Sequence, residues 1–141
     1  MADDVLLSKV AIIERCVARV REEYAGDDVH LFSDVTRQDS IILNLQRACE
    51  AAIDLAMHLV STRRLGIPEE TRQAFELLRD GHLLSSELAD RMARMVGFRN
   101  VAVHAYQKLD LQIVKRIVTT HRGDFEAFTR AVLDLASGVP A

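Results

Sequence analysis

At 141 residues, 49% of them apolar and 28% charged, the chain suits a single domain, 1–141, and neither a disordered segment nor a membrane protein. Two cysteines are too few for a disulfide framework or a cysteine-based metal site. The formal net charge of −3, taken alone, speaks against a protein that holds nucleic acid by bulk electrostatics.

Six Gly and two Pro are too few for the turns of a β protein, and the apolar residues repeat with helical spacing. The first predicted helix, about Asp4 to Tyr24, carries Val10, Ile13, Val17, Val20 and Tyr24 on one stripe. Gly26 supplies the left-handed residue on which helices commonly stop. After a polar stretch, Thr36 with Asp39 resembles a capping box and opens the longest helix, which runs to about Arg64. Its stripe is Ile42, Leu45, Cys49, Ala52, Ala56 and Leu59, and Gly66 ends it.

Pro68, followed by Glu69 and Glu70, predicts the first turn of a short third helix that stops near Gly81. Ser85 caps a fourth helix carrying Leu88, Met92, Met95 and Val96, with a bend or close contact expected at Gly97. Asp110 caps a last helix with Ile113, Ile117, Phe125, Phe128, Val132 and Leu135 inward, and the tail from Ser137 to Ala141 should fray. The expected fold is all-α, an antiparallel bundle of four to five helices. The N-terminus is acidic where a signal peptide is basic, and no apolar run approaches the roughly 20 residues of a membrane span, so a reducing cytoplasm is expected.

Most polar residues have structural readings. His58 flanks the stripe of the long helix as a partly buried histidine, His30 and His82 fall in loops as solvated ones, and Cys16 and Cys49 read as small core residues. No His and acid set has metal-ligand spacing, and there is neither a Gly-rich phosphate loop nor a nucleophile elbow. An enzyme built on this chain needs no metal or cofactor and works with Arg, His, Tyr and amide side chains.

Those types meet in Arg99-Asn100-Val101-Ala102-Val103-His104-Ala105-Tyr106. Arg followed five positions later by His arises about 0.5 times by chance in a chain of this composition, and a second copy, Arg116 to His121, is indeed present. His121 lines up with Ile117 and Phe125 and reads as structural. The first copy adds Asn100 and Tyr106, a combination expected by chance only about once in ten thousand such chains.

This sequence resembles the HEPN superfamily of small helical proteins and, within it, the HepT-like toxins. The Arg-x4-His-x-Tyr motif falls on Arg99, His104 and Tyr106, and the stretches 39–47, 65–68 and 95–100 are similar as well. The resemblance spans nearly the whole chain. It implies a HEPN-like homodimer acting as a metal-independent endoribonuclease toxin of a type VII toxin–antitoxin pair. It also implies an ATP-using nucleotidyltransferase antitoxin of the MntA type that places AMP on the motif tyrosine, Tyr106.

Residue chemistry agrees with that implication. RNA carries its own nucleophile, the 2′-hydroxyl; DNA, which lacks it, is not expected as a substrate. His104 can exchange protons near neutral pH, and the planar fork of Arg99 matches phosphate oxygens. Asn100, one turn before His104, is expected to position it. Five residues of straight helix leave Arg99 and His104 about 140° apart around the axis. Either the helix unwinds after Gly97, or two subunits each bring a motif to one cleft. By residue type alone, the favoured readings are a helix-terminal tyrosine for Tyr106, a capping histidine for His104 and a solvated arginine for Arg99; the resemblance selects the functional roles.

Two other classes compete: a non-catalytic module that presents a nucleotide or substrate to the nucleotidyltransferase, and a plain helical dimerisation subunit. The intact Arg99, Asn100, His104 and Tyr106 set favours the nuclease, since a pure binder needs no paired His and Arg, and the charge distribution does not oppose it. From Arg91 to Arg122 there are seven basic residues and one acid, a net +6, while the rest carries 11 basic and 20 acidic residues, a net −9. The overall −3 therefore averages two unlike regions and leaves a cationic surface for RNA around the motif.

Overall fold

Asp3 Oδ1 accepts the amide of Leu6 and starts α1, Asp4–Tyr24. The computed structural model describes residues 3–138 and builds them from helices: α1, α2 (Asp28–Phe32), α3 (Val35–Thr62), α4 (Thr71–Asp80), α5 (Ser86–His104), α6 (Leu111–Arg116) and α7 (Arg122–Ala136). A 3₁₀ turn, Tyr106–Lys108, follows α5, and a π-helical turn, Ile117–His121, joins α6 to α7. No helix among the described residues is long and apolar enough to cross a membrane.

The bundle is antiparallel, and its polar ties show why. Near the start of α1, Asp3 meets His58 at 2.7 Å and Lys9 meets Asp54 at 3.0 Å, both on the far half of α3. At the other end Arg37, early in α3, donates to the Glu23 carbonyl late in α1. Helices α4 and α5 pack against α3, and α7 closes the bundle against α1 and α5. Ile13, Leu45, Leu55, Leu78, Met92 and Phe125 are fully buried at its centre. The rings of Phe75 and Phe128 meet edge to face at 5.8 Å, joining α4 to α7.

Several sequence expectations need correcting. The polar stretch after Gly26 contains α2, whose cap is Asp27 and whose Leu31 is fully buried. A one-turn helix has too few residues to display a stripe. The long helix is capped by Asp34, whose carboxylate accepts the Arg37 amide, so Thr36 and Asp39 already lie inside α3. Pro68 precedes the third long element rather than sitting in its first turn: α4 starts at Thr71, and Gln73 accepts the amides of Glu69 and Glu70. Left-handed backbone begins at Ala25 (φ 48°), one residue before Gly26 (φ 71°).

Helix α5 runs through Gly97 without interruption, and a Cβ there would meet nothing within 4 Å, so no close contact requires glycine. Ile113 is 45% exposed rather than inward. His30 is half-buried in α2, its Nδ1 2.7 Å from the Tyr24 carbonyl, and is not a solvated loop residue. Ser85 and Asp110 cap α5 and α6 as expected, accepting the amides of Leu88 and Gln112. Of the tail expected to fray, residues 139–141 lie outside the described residues.

Candidate active site

The motif occupies the last turns of α5 and the turn beyond. Because α5 stays helical to His104, unwinding after Gly97 does not bring Arg99 and His104 together; they project about 140° apart around the axis. Arg99 is half-buried and leans toward α3, where its charge acts on the buried thiol of Cys49. Burial pushes that thiol up to about 12 despite the nearby guanidinium, so Cys49 is a protonated core residue rather than a nucleophile.

Asn100 takes a different position from the one expected. Its Oδ1 accepts the Arg99 Nε–H at 2.9 Å, so the amide orients the guanidinium and not the imidazole. The bond uses one edge of Arg99 and leaves the terminal nitrogens of the fork for a phosphate. His104 is the final residue of α5 and is exposed. Ala105 (φ −145°, ψ 46°) then breaks the helix and turns the chain back toward α3.

That break positions Tyr106. The ring is 43% exposed, while its hydroxyl donates to Asp39 Oδ1 at 2.6 Å, close to the start of α3. Partial burial first, and the Asp39 hydrogen bond and charge second, push the phenol up to about 12. Sequence reading missed Asp39 as a site residue because no local spacing links positions so far apart. The turn itself is pinned by Lys108 and Leu109 amides bonding to the carbonyls of Ala105 and Tyr106.

The second Arg-x4-His copy lies elsewhere. Arg116 ends α6, and His121 ends the π turn with Nδ1 3.3 Å from the buried carboxylate of Asp124. The cationic stretch divides in the same way: Lys115 is committed to Asp28 at 2.7 Å and Arg91 approaches Asp124 at 3.7 Å. Arg94, Lys108 and Arg116 have no ion-pair partner among the described residues and remain available to an anion. Among the described residues no cluster of three or more His, Cys, Asp or Glu side chains could hold a metal ion.

A family model described as "Ribonuclease HepT-like" matches residues 13–132. The chain is 47% identical over 126 residues to the mRNA nuclease HepT of Shewanella oneidensis, covering 89% of this chain and 94% of that protein. Among solved structures it is similar to a toxin–antitoxin complex with AMP-PNP, with a TM-score of 0.88 and 44% identity over 93% of this chain and 98% of the other. It is also similar to the tri-AMPylated HEPN toxin of Shewanella oneidensis in complex with its MNT antitoxin, with a TM-score of 0.87, 45% identity and the same coverage.

Proposed function

The chain belongs to the HepT-like ribonuclease family, and we propose that it is a cytoplasmic endoribonuclease toxin that cuts RNA with Arg99 and His104 and is silenced by AMPylation of Tyr106. One observation carries the reading: a chain 47% identical to an mRNA nuclease carries Arg99, His104 and Tyr106 in the last turns of α5 and the turn beyond it.

The chemistry follows from those three groups. The 2′-hydroxyl attacks the adjacent phosphorus as His104 takes its proton, and the bond to the 5′-oxygen breaks. The products are a 2′,3′-cyclic phosphate and a 5′-hydroxyl, the latter formed as the leaving oxygen takes up a proton. Arg99, held by Asn100, binds the phosphate oxygens on which negative charge accumulates. Since Arg99 and His104 diverge on one helix, both reach a single phosphate when two protomers face each other and each contributes one of them. A homodimer therefore builds the cleft, and it also doubles the local positive field.

Silencing uses the turn after α5. The partner is a nucleotidyltransferase of the MNT type, as in the similar Shewanella oneidensis complex. Attack of the Tyr106 oxygen on the α-phosphorus of ATP forms the tyrosyl–phosphate bond and releases pyrophosphate. Asp39, 2.6 Å away, is positioned to receive the phenolic proton. Each AMP adds negative charge close to Arg99 and His104 and competes with the RNA phosphate.

Cleavage of RNA by the purified chain in the presence of EDTA, with mass spectrometry of the products, tests the reading. Cyclic phosphate ends that vanish in His104→Ala are expected; equal cutting by that variant would refute it.

A further inference from the structure

Beside the motif, a cavity of about 370 Å³ opens between α5 and the α6–α7 segment. Its floor is apolar: Met95, Phe98 and Val101 from α5 face Ile117 of the π turn. Three cations without acidic partners, Arg94, Lys108 and Arg116, stand around it. Val101 and Gly97 precede His104 by three and seven residues, and Met95 precedes Arg99 by four, so this wall lies between the sides of α5 that carry the two motif residues.

A second observation points to a ligand. Asp124 also lines the cavity, is only 7% exposed, and its Oδ2 has no hydrogen-bond partner. His121 lies 3.3 Å from that oxygen without the alignment of a hydrogen bond. A buried carboxylate oxygen left in this state is costly and calls for an N–H donor. The π turn delivers both His121 and Ile117 to the cavity, and such turns often occur at functional sites.

We propose that this groove is a nucleotide subsite for single-stranded RNA, taking the base beside the scissile phosphate on its apolar floor, an N–H of that base on Asp124, and the flanking phosphates on Arg94, Lys108 and Arg116. The inference rests on the nuclease reading and extends it to how the substrate is held. A base in a duplex stays stacked, whereas an unpaired one can enter a pocket and offer its edge. The volume suits a nucleotide, within the roughly 300–1,000 Å³ of ligand sites. A second copy of the chain, or a partner helix, would leave the buried Asp124 oxygen without a donor and the three unpaired cations without an anion.

The test uses the full chain and a fluorescein-labelled single-stranded RNA with 2′-fluoro groups, which has no nucleophile and stays uncut. Ile113→Trp adds bulk to an exposed position of the groove and is expected to weaken binding tenfold or more. Arg116→Ala should weaken it several-fold and flatten the salt dependence by about 0.7 in slope, the value for one single-strand phosphate contact. Asp124→Asn should change the ranking of A, C and U oligomers. Arg130→Ala, an exposed cation on α7, serves as the control and should bind like the wild type. On cleavable RNA the Ile113 and Arg116 variants should raise KM with kcat falling less than threefold.

Unchanged binding and KM in Ile113→Trp and Arg116→Ala, with the wild type cutting RNA, would overturn the subsite. So would a changed protomer number in Ile113→Trp by light scattering, which makes the groove an interface. Loss of silencing by the nucleotidyltransferase with RNA binding intact would also overturn it, assigning the groove to the adenylate on Tyr106. A wild type that binds the oligomer through these residues yet never cuts RNA sinks the nuclease reading and leaves the subsite standing.

Discussion

The hydroxyl of Tyr106 donates to Asp39 Oδ1 at 2.6 Å and ties the turn after α5 to the first turns of α3. Asp39→Ala removes the acceptor and its charge but not the burial that contributes most to the phenol's shift. Titrated by absorbance in a Tyr24→Phe background, Tyr106 should ionise near about 12 in the parent and move part of the way toward 10 in the variant. No movement would show that Asp39 does not hold the hydroxyl in solution. The folded state binds this proton more tightly than the unfolded chain. Its contribution is complete below about pH 10 and is lost as pH rises through about 12.

The proposed AMPylation of Tyr106 would act on the same bond. It would turn the hydroxyl donor into an ester oxygen and put a phosphate anion next to the Asp39 carboxylate, so that the tie becomes repulsion. The Lys108 and Leu109 amides, which close the turn on Ala105 and Tyr106, should then exchange hydrogen faster in the modified protein. Equal protection in both forms would mean that modification blocks the site without loosening the turn.

Asn100 and His104 can be separated by kinetics. His104 is exposed, so His104→Ala should leave thermal stability within about 0.5 kcal/mol while lowering cleavage at least about 10²-fold. Asn100→Ala should lower kcat less, because Arg99 keeps its charge and loses only its orientation. The pH profile of that variant should superimpose on the wild type. A displaced profile would mean that Asn100 acts on the imidazole instead.

The long-range polar contacts were the part of the structure that sequence could not reveal. Helical periodicity locates α1, α3, α5 and α7 because each buries a stripe, the start and stop signals around Pro68 and Gly81 locate α4, and Ser85 and Asp110 declare their helices through cap chemistry. It passed over α2, one turn long, and the π turn, whose extra residue does not alter an apolar pattern read in threes and fours. The candidate set Arg99, Asn100, His104 and Tyr106 stands out as a motif because its members are close in sequence. Asp39 and Asp124 meet their partners only through packing: Asp39 imitates a cap residue, and Asp124 falls inside the helix read from Asp110 onward.

Lys115 separates structural from RNA-binding charge. Its ammonium lies 2.7 Å from Asp28, which also accepts the Tyr24 hydroxyl, so one carboxylate joins α1, α2 and α6. The Lys115 contact first, and the Tyr24 bond second, hold that carboxyl below its ordinary value. Lys115→Met should therefore leave the salt slope of oligonucleotide binding unchanged. It should also reduce the stability lost on acidification below about pH 4, since a depressed carboxyl stabilises the fold above its ordinary pKa and ceases to as it protonates. A flatter salt slope would place Lys115 on RNA and break this division of the charges.

Mixing two inactive variants tests whether one cleft draws on two protomers. Arg99→Ala retains His104, and His104→Ala retains Arg99. If one phosphate is bound by Arg99 of one chain and His104 of the other, each mixed dimer contains one site with both groups intact and one with neither. Random exchange makes half of the dimers mixed, so co-refolding equal amounts should restore about a quarter of wild-type cleavage. Each variant alone should stay inactive, and light scattering should report dimers throughout. If each protomer used its own pair, every site in the mixture would lack one group and no activity would return. The uninterrupted helix from Ser86 to His104 argues for recovery, because it keeps the two side chains of one protomer on different sides of α5.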